Sequence, residues 1–172
     1  DTISIVEQNC KKYSNIRLLH NPKKIVPVAL NIAIPECQGK YIVRLDGHSR
    51  YAEDYFEQIL RTFSEIDAGI VGGPTRTEYH GSTQEAIAFA VSHPVGIGGR
   101  RVHNEEYRGY TDSVTFGAWK KEIFEVTGLF DERLVRNQDD EFHYRAKSLG
   151  VKIYQNPDIK LYYLPRSSFP AL

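Results

Sequence analysis

The chain has 172 residues, 41% apolar, 12% aromatic and 26% charged, the composition of one ordinary globular domain. Twenty-two lysines and arginines balance twenty-two aspartates and glutamates, so no net field draws in nucleic acid or another polyanion. No apolar run reaches the roughly 18 residues of a membrane-spanning helix, and no secretory leader is visible.

In chain order, Ile3, Val6, Cys10 and Tyr13 share one helical face and predict a first helix over residues 2–13 with no strand before it. Residues 16–19 read as a short strand closed by Asn21-Pro22, and residues 26–37 as a second helix that tolerates Pro27 in its first turn and stops at Gly39. Residues 41–45 form a compact apolar strand that runs into Asp46-Gly47-His48, and residues 52–63 return as a helix. A strand over 68–73 ends in Gly72-Gly73-Pro74, and a helix is expected over 83–92.

Residues 94–111 are rich in Gly, Arg, His and Tyr without any period, which predicts a functional loop, a mobile cover over a site. Beyond it come a strand over 113–116, a short helix over 121–126, a helix over 139–148 opened by three acids, and strands over 151–154 and 160–164. This alternation predicts an α/β fold with a mostly parallel central sheet flanked by helices, the strands ending at Leu19, Leu45 and Gly73 being neighbours. Cys10 and Cys37, without metal-site spacing, read as small buried apolar residues in a reduced compartment. The chain contains no methionine, which reads as a fragment of one domain, truncated at both ends.

Ligands of open α/β sheets bind beyond the carboxyl ends of strands, which makes Asp46 a site candidate. Asp46 and His48, two residues apart, could face one divalent cation, with carboxylate oxygen suiting Mg²⁺ or Mn²⁺ and imidazole tilting the choice toward Mn²⁺. The bland alternative is an Asp-Gly turn with a surface histidine. Asp139, Asp140 and Glu141 in one first helical turn suit the helix dipole, but three acids together repel unless a cation or a reacting hydroxyl is near. Glu141 has Arg145 four residues on as a ready partner.

The order of these pieces resembles the family 2 glycosyltransferases of the GT-A fold, and within them the succinoglycan type of exopolysaccharide glucosyltransferase. The pieces are Asp46-Gly47-His48-Ser49, Gly72-Gly73, Thr111-Asp112-Ser113 with Phe116-Gly117-Ala118, Gly128-Leu129-Phe130-Asp131-Glu132 and Asp139-Asp140-Glu141-Phe142 followed by Arg145. The resemblance implies a GT-A nucleotide-diphospho-sugar transferase-like domain that moves a hexose, UDP-glucose being the first candidate donor, to a saccharide acceptor with inversion. It implies metal and donor binding through Asp46 with His48, a donor contact at Asn31, and Asp139 as catalytic base with Asp140 as the second candidate. It further implies Mn²⁺ or Mg²⁺ as cofactor, a lipid-linked acceptor among the partners, and work in the cytoplasm at the inner face of a membrane reached through parts outside this chain. A non-catalytic carbohydrate-binding or scaffolding domain of the same fold is the competing reading.

Overall fold

The computed structural model describes residues 2–47, 49–77 and 104–163. Two compact units divide the chain, Asp1–Gln38 with Leu129–Gln138, and Gly39–Gly128 with Asp139–Leu172. The expected helix over 83–92, His48, the first part of the 94–111 loop and the tail lie outside the described residues.

In the first unit, α1 (Thr2–Lys12) carries no buried residue, whereas α2 (Val26–Glu36) buries Pro27, Val28 and Ile34. Pro27 sits in the first turn of α2, where its missing N–H has no intrahelical partner to lose. Residues 16–19 form no strand, contrary to the expectation. Ile16, Leu18 and Leu19 are 36%, 45% and 40% exposed, and extended backbone becomes a strand only where a neighbour takes up its hydrogen bonds. Cys10 and Cys37 are half-buried rather than buried, and they form no disulfide with each other.

The second unit holds two sheets. Its elements are β1 (Tyr41–Val43), β2 (Ser49–Tyr51), α3 (Tyr55–Glu65), β3 (Ile70–Gly73), β4 (Thr75–Thr77), β5 (Gly109–Tyr110), β6 (Thr115–Lys120), α4 (Ile123–Thr127), β7 (Ile153–Gln155) and β8 (Leu161–Tyr163). A further helix, α5 (Gln138–Ser148), starts on the last residue of the first unit. The larger sheet runs β1-β6-β3-β7-β5 and the smaller β2-β8-β4. β3 and β7 pair in parallel, while β6 pairs antiparallel with both β1 and β3, so β1, β3 and β7 point one way and the sheet is mixed. The strands ending near Asp46 and at Gly73 are therefore second neighbours, with β6 between them. The apolar-rich run 114–119 is what makes β6 long enough to fill that place, with Ala118 and Trp119 almost fully buried.

α3 is amphipathic and buries Tyr55, Ile59, Thr62 and Phe63; Tyr55, Ile59 and Phe63 join Ala68, Val71, Ala118, Ile159 and Leu161 in one core. Tyr41 stacks on Phe63 at 4.5 Å between ring centroids. Phe142 of α5 is fully buried and meets Trp119 and Phe124 edge-on or tilted, at 6.4 and 5.4 Å. Trp119 is thus a packing anchor. Gly73 is required by close approach, since a Cβ there would lie 1.7 Å from the carbonyl oxygen of Ile159.

Candidate active site

β1 delivers Asp46 and α5 delivers Asp139, and one guanidinium joins them. Residues 44 and 46 fall on the same side of an extended segment because side chains alternate. Arg44 Nε and Nη2 donate to Asp46 Oδ1 and Oδ2 at 2.7 and 2.9 Å, a two-pronged contact. Arg44 Nη1 donates to Asp139 Oδ1 and Oδ2 at 2.9 and 3.0 Å. The Arg44 side chain is only 9% exposed, Asp46 15% and Asp139 34%.

The surroundings hold this arrangement. The Arg44 guanidinium lies over the Phe116 ring, 5.3 Å from its centroid. Phe116 itself has φ +44°, an unusual value for a bulky side chain, next to the register shift where β3 and β6 pair. The Asp46 backbone N–H donates to Tyr51 Oη at 2.7 Å, and Tyr51 packs against Tyr55 at 4.8 Å between centroids.

Burial works against the Arg44 charge, yet hydrogen bonds to Asp46 and Asp139 and the charges of both acids outweigh it and hold its pKa above the ordinary value. Burial pushes the Asp139 carboxyl up; Arg44 opposes this, Asp46 and Asp140 add to it, and the net shift is upward. A carboxylate raised in this way holds a proton more readily. Asp140 is exposed, whereas Asp139 is half-buried, which separates the two candidates for the base position.

One turn further along α5, His143 is 2% exposed, and its Nδ1 lies 2.9 Å from Ser113 Oγ. Its Nε2 has no hydrogen-bond partner among the described residues, and burial pushes the imidazole down to about 4, so it is neutral at pH 7. Arg145 pairs with Glu141 at 2.6 and 2.9 Å, as the four-residue spacing predicts, and also donates to the Thr127 carbonyl.

Asn31 belongs to the first unit. Its Oδ1 accepts from the Phe130 N–H at 2.9 Å, and its Nδ2 donates to the Phe130 carbonyl at 2.9 Å and to Glu132 at 3.2 Å. The side-chain amide thus pairs with Phe130 as a strand backbone would.

The described end of the 94–111 loop is anchored rather than loosely held, which corrects that part of the mobile-cover expectation. Gln155 Nε2 donates to the Asn104 carbonyl at 2.9 Å, Arg108 reaches Asn156 and Asp158 at 2.7 and 2.6 Å, and β5 pairs with β7. Tyr110 sits edge-on to Tyr154 at 5.3 Å.

A divalent cation takes oxygen ligands, and one carboxylate at a strand end serves when phosphate oxygens of a donor complete the shell. Asp46 fits that description, and both its oxygens already face the positive charge of Arg44. No group of three His, Cys, Asp or Glu that could hold an ion gathers among the described residues.

Arg44 is the residue that sequence reasoning passed over. It reads as part of an apolar strand, yet a lone arginine two residues before an acid on the same strand face is the signal that marks a buried pair.

A mixed sheet flanked by helices is the layout of the GT-A glycosyltransferase fold, and the comparisons agree on that fold. The Glycosyl transferase family 2 model matches residues 1–128, and the chain belongs to that family. Among curated relatives, the succinoglycan biosynthesis protein ExoA of Rhizobium meliloti (strain 1021) is 28% identical over 159 residues, covering 91% of this chain and 48% of the relative. A dolichyl N-acetyl-alpha-D-glucosaminyl phosphate 3-beta-D-2,3-diacetamido-2,3-dideoxy-beta-D-glucuronosyltransferase of Methanococcus voltae is 27% identical over 176 residues, covering 97% of this chain and 54% of the relative. The chain spans about half the length of these relatives.

Solved structures share the fold. The mannosyltransferase PcManGT of Pyrobaculum calidifontis, in complex with GDP-Man and Mn²⁺, superposes with a TM-score of 0.64 at 18% identity, over 99% of this chain and 46% of its own. S. aureus TarS 1-349 gives 0.65 at 13% identity, over 92% and 47%.

Proposed function

We propose that this domain transfers a hexose from a nucleotide-sugar, UDP-glucose being the favoured donor, to a saccharide acceptor, with inversion, in the synthesis of an exopolysaccharide or cell-surface glycan. The observation that carries the reading is the convergence of Asp46 and Asp139 on one guanidinium. The end of β1 and the start of α5 thereby supply two carboxylates to one place.

Asp139 accepts the proton of the acceptor hydroxyl as that oxygen bonds to the anomeric carbon and the bond from that carbon to the nucleoside diphosphate breaks. Asp140, exposed one residue on, is the second candidate. Asp46, with His48 beside it in sequence, is the group that would hold Mn²⁺ or Mg²⁺, whose charge offsets that of the departing diphosphate. We assign Asn31 to a donor contact on the family resemblance alone.

The relatives support the substrate classes. One is named for succinoglycan biosynthesis and the other for a dolichyl-linked acceptor, while the mannosyltransferase holds GDP-Man with Mn²⁺. On that basis we place the acceptor on a lipid carrier and the enzyme at the cytoplasmic face of a membrane. No helix among the described residues is long and apolar enough to cross one.

The test is product analysis on the intact protein with UDP-glucose, MnCl₂ and lipid-linked acceptor. UDP released in step with a glucosylated product of inverted anomeric configuration, and loss of both with EDTA, supports the reading. Pyrophosphate as the released product, or no turnover of any nucleotide-sugar, overturns it.

A further inference from the structure

Arg44 has every side-chain nitrogen committed to an acid. Nε and Nη2 are spent on the two oxygens of Asp46, and Nη1 straddles the two oxygens of Asp139. The three groups together carry one positive and two negative charges in a place where Arg44 and Asp46 are largely shielded from water. Charges interact strongly there, so whatever next binds Asp46 must contend with the guanidinium. A lone divalent cation would meet it as a like charge. A cation arriving with a diphosphate brings negative charge that offsets the repulsion and gives the two donors released from Asp46 new oxygens to bind.

We propose that Arg44 is a positioning residue that acts as a built-in counter-ion. In the empty site its Nε/Nη2 prongs occupy Asp46 and hold off a free divalent cation, and on donor binding these prongs pass to the diphosphate while Nη1 keeps Asp139 aimed. The proposal rests on the reading of Asp46 and Asp139 above. Planarity supports the division of labour, because a guanidinium presents its donors in one rigid fork and can keep one edge fixed while the other exchanges partners. The ring of Phe116 beneath it, fixed at an unusual φ, gives Arg44 a seat that does not depend on either acid.

The experiment compares wild type, Arg44→Ala and Arg44→Lys in the intact protein, with folding checked by circular dichroism. The first readout needs no turnover: Mn²⁺ binding to donor-free protein, followed by electron paramagnetic resonance. Wild type should bind Mn²⁺ weakly, with a gain in affinity on addition of UDP. Arg44→Ala should bind Mn²⁺ about tenfold more tightly without UDP and lose most of the UDP-dependent gain. The second readout is the kinetic constants: Arg44→Ala should lower kcat about 10²-fold because the base loses its aim, and should raise the donor KM because the diphosphate loses the two prongs.

Arg44→Lys keeps the charge without the fork; it should retain weak donor-free Mn²⁺ binding and fail to restore kcat. If Arg44→Ala does not fold, Arg44→Lys carries the test on both readouts. Donor-free Mn²⁺ affinity unchanged or weaker in Arg44→Ala overturns the counter-ion role, and full kcat in Arg44→Lys overturns the need for the fork. Were the glycosyltransfer reading itself mistaken, wild type would turn over no nucleotide-sugar, an outcome that the Mn²⁺ measurement does not depend on.

Discussion

Arg44 Nη1 lies 2.9 and 3.0 Å from the two carboxylate oxygens of Asp139, 95 residues further along the chain. That contact ties the end of β1 to the first turn of α5, and removing one member of such a part-buried pair leaves the other charge uncompensated.

Gly73 and Gly47 should behave oppositely. A Cβ on Gly73 would run into the Ile159 carbonyl, so Gly73→Ala should cost about 3 kcal/mol or more and lower Tm by about 6–12 °C. Among the described residues, no heavy atom outside its chain neighbours lies within 4 Å of the would-be Cβ of Gly47, so Gly47→Ala should keep its Tm. It should instead raise the donor KM if the backbone beside Asp46 must approach the diphosphate. Calorimetry and donor titration check both, and equal Tm losses would contradict the assignment of Gly73 to close packing.

Asn31→Ala should destabilise the protein by about 1–3 kcal/mol, because the buried Phe130 loses a partner for both its N–H and its carbonyl. Asn31→Asp should be nearly as harmful, since a carboxylate accepts from Phe130 N–H but cannot donate back. Urea unfolding distinguishes this from a role in direct donor contact, which would raise KM and leave stability unmoved.

His143 gives a pH dependence whose sign is fixed by burial. Its folded-state pKa is pushed down to about 4, while the unfolded imidazole titrates near 6.5, so the unfolded chain takes up the proton first as pH falls. Stability that is fully present at pH 7 should decline through 6.5 toward 4, by on the order of 3 kcal/mol in total. His143→Asn, which does not titrate, should flatten that decline. Unfolding midpoints at several pH values measure it, and parallel curves for the two proteins would exclude His143 as the source.

Much of this architecture is legible in the amino-acid order, and the failures have definite causes. α2, α3, β3, α5, β7 and β8 fall within a few residues of expectation because each couples a clear period to a turn or glycine stop. The strand expected over 16–19 fails because apolar content cannot provide the partner a strand needs. β6 is longer than its four expected residues and antiparallel because pairing partners, not local pattern, decide strand order. β2 and β4 have no counterpart among the expected elements, since three-residue strands such as Thr75–Thr77 exist only through the pairing that β8 gives them.

At the site, Asp46 and Asp139 stand out through their places at a strand end and a helix start. Arg44 does not, since nothing in the sequence tells which acid 95 residues away will share its fork. The buried Ser113–His143 pair is hidden for the same reason, as a lone histidine carries no spacing to read.

The central claim is that Asp139 is the base of a glycosyl transfer served by Asp46. The most direct measurement is the initial rate of UDP release from UDP-glucose by Asp139→Asn in the intact protein, beside wild type and Asp140→Asn, with UDP-glucose binding and fold checked in each. Asn preserves shape and one acceptor oxygen but cannot take the proton, so the rate should fall about 10²- to 10⁴-fold while UDP-glucose binding persists. Asp140→Asn should stay within about tenfold of wild type. Near-normal turnover in Asp139→Asn, with collapse in Asp140→Asn or in neither, would contradict the account.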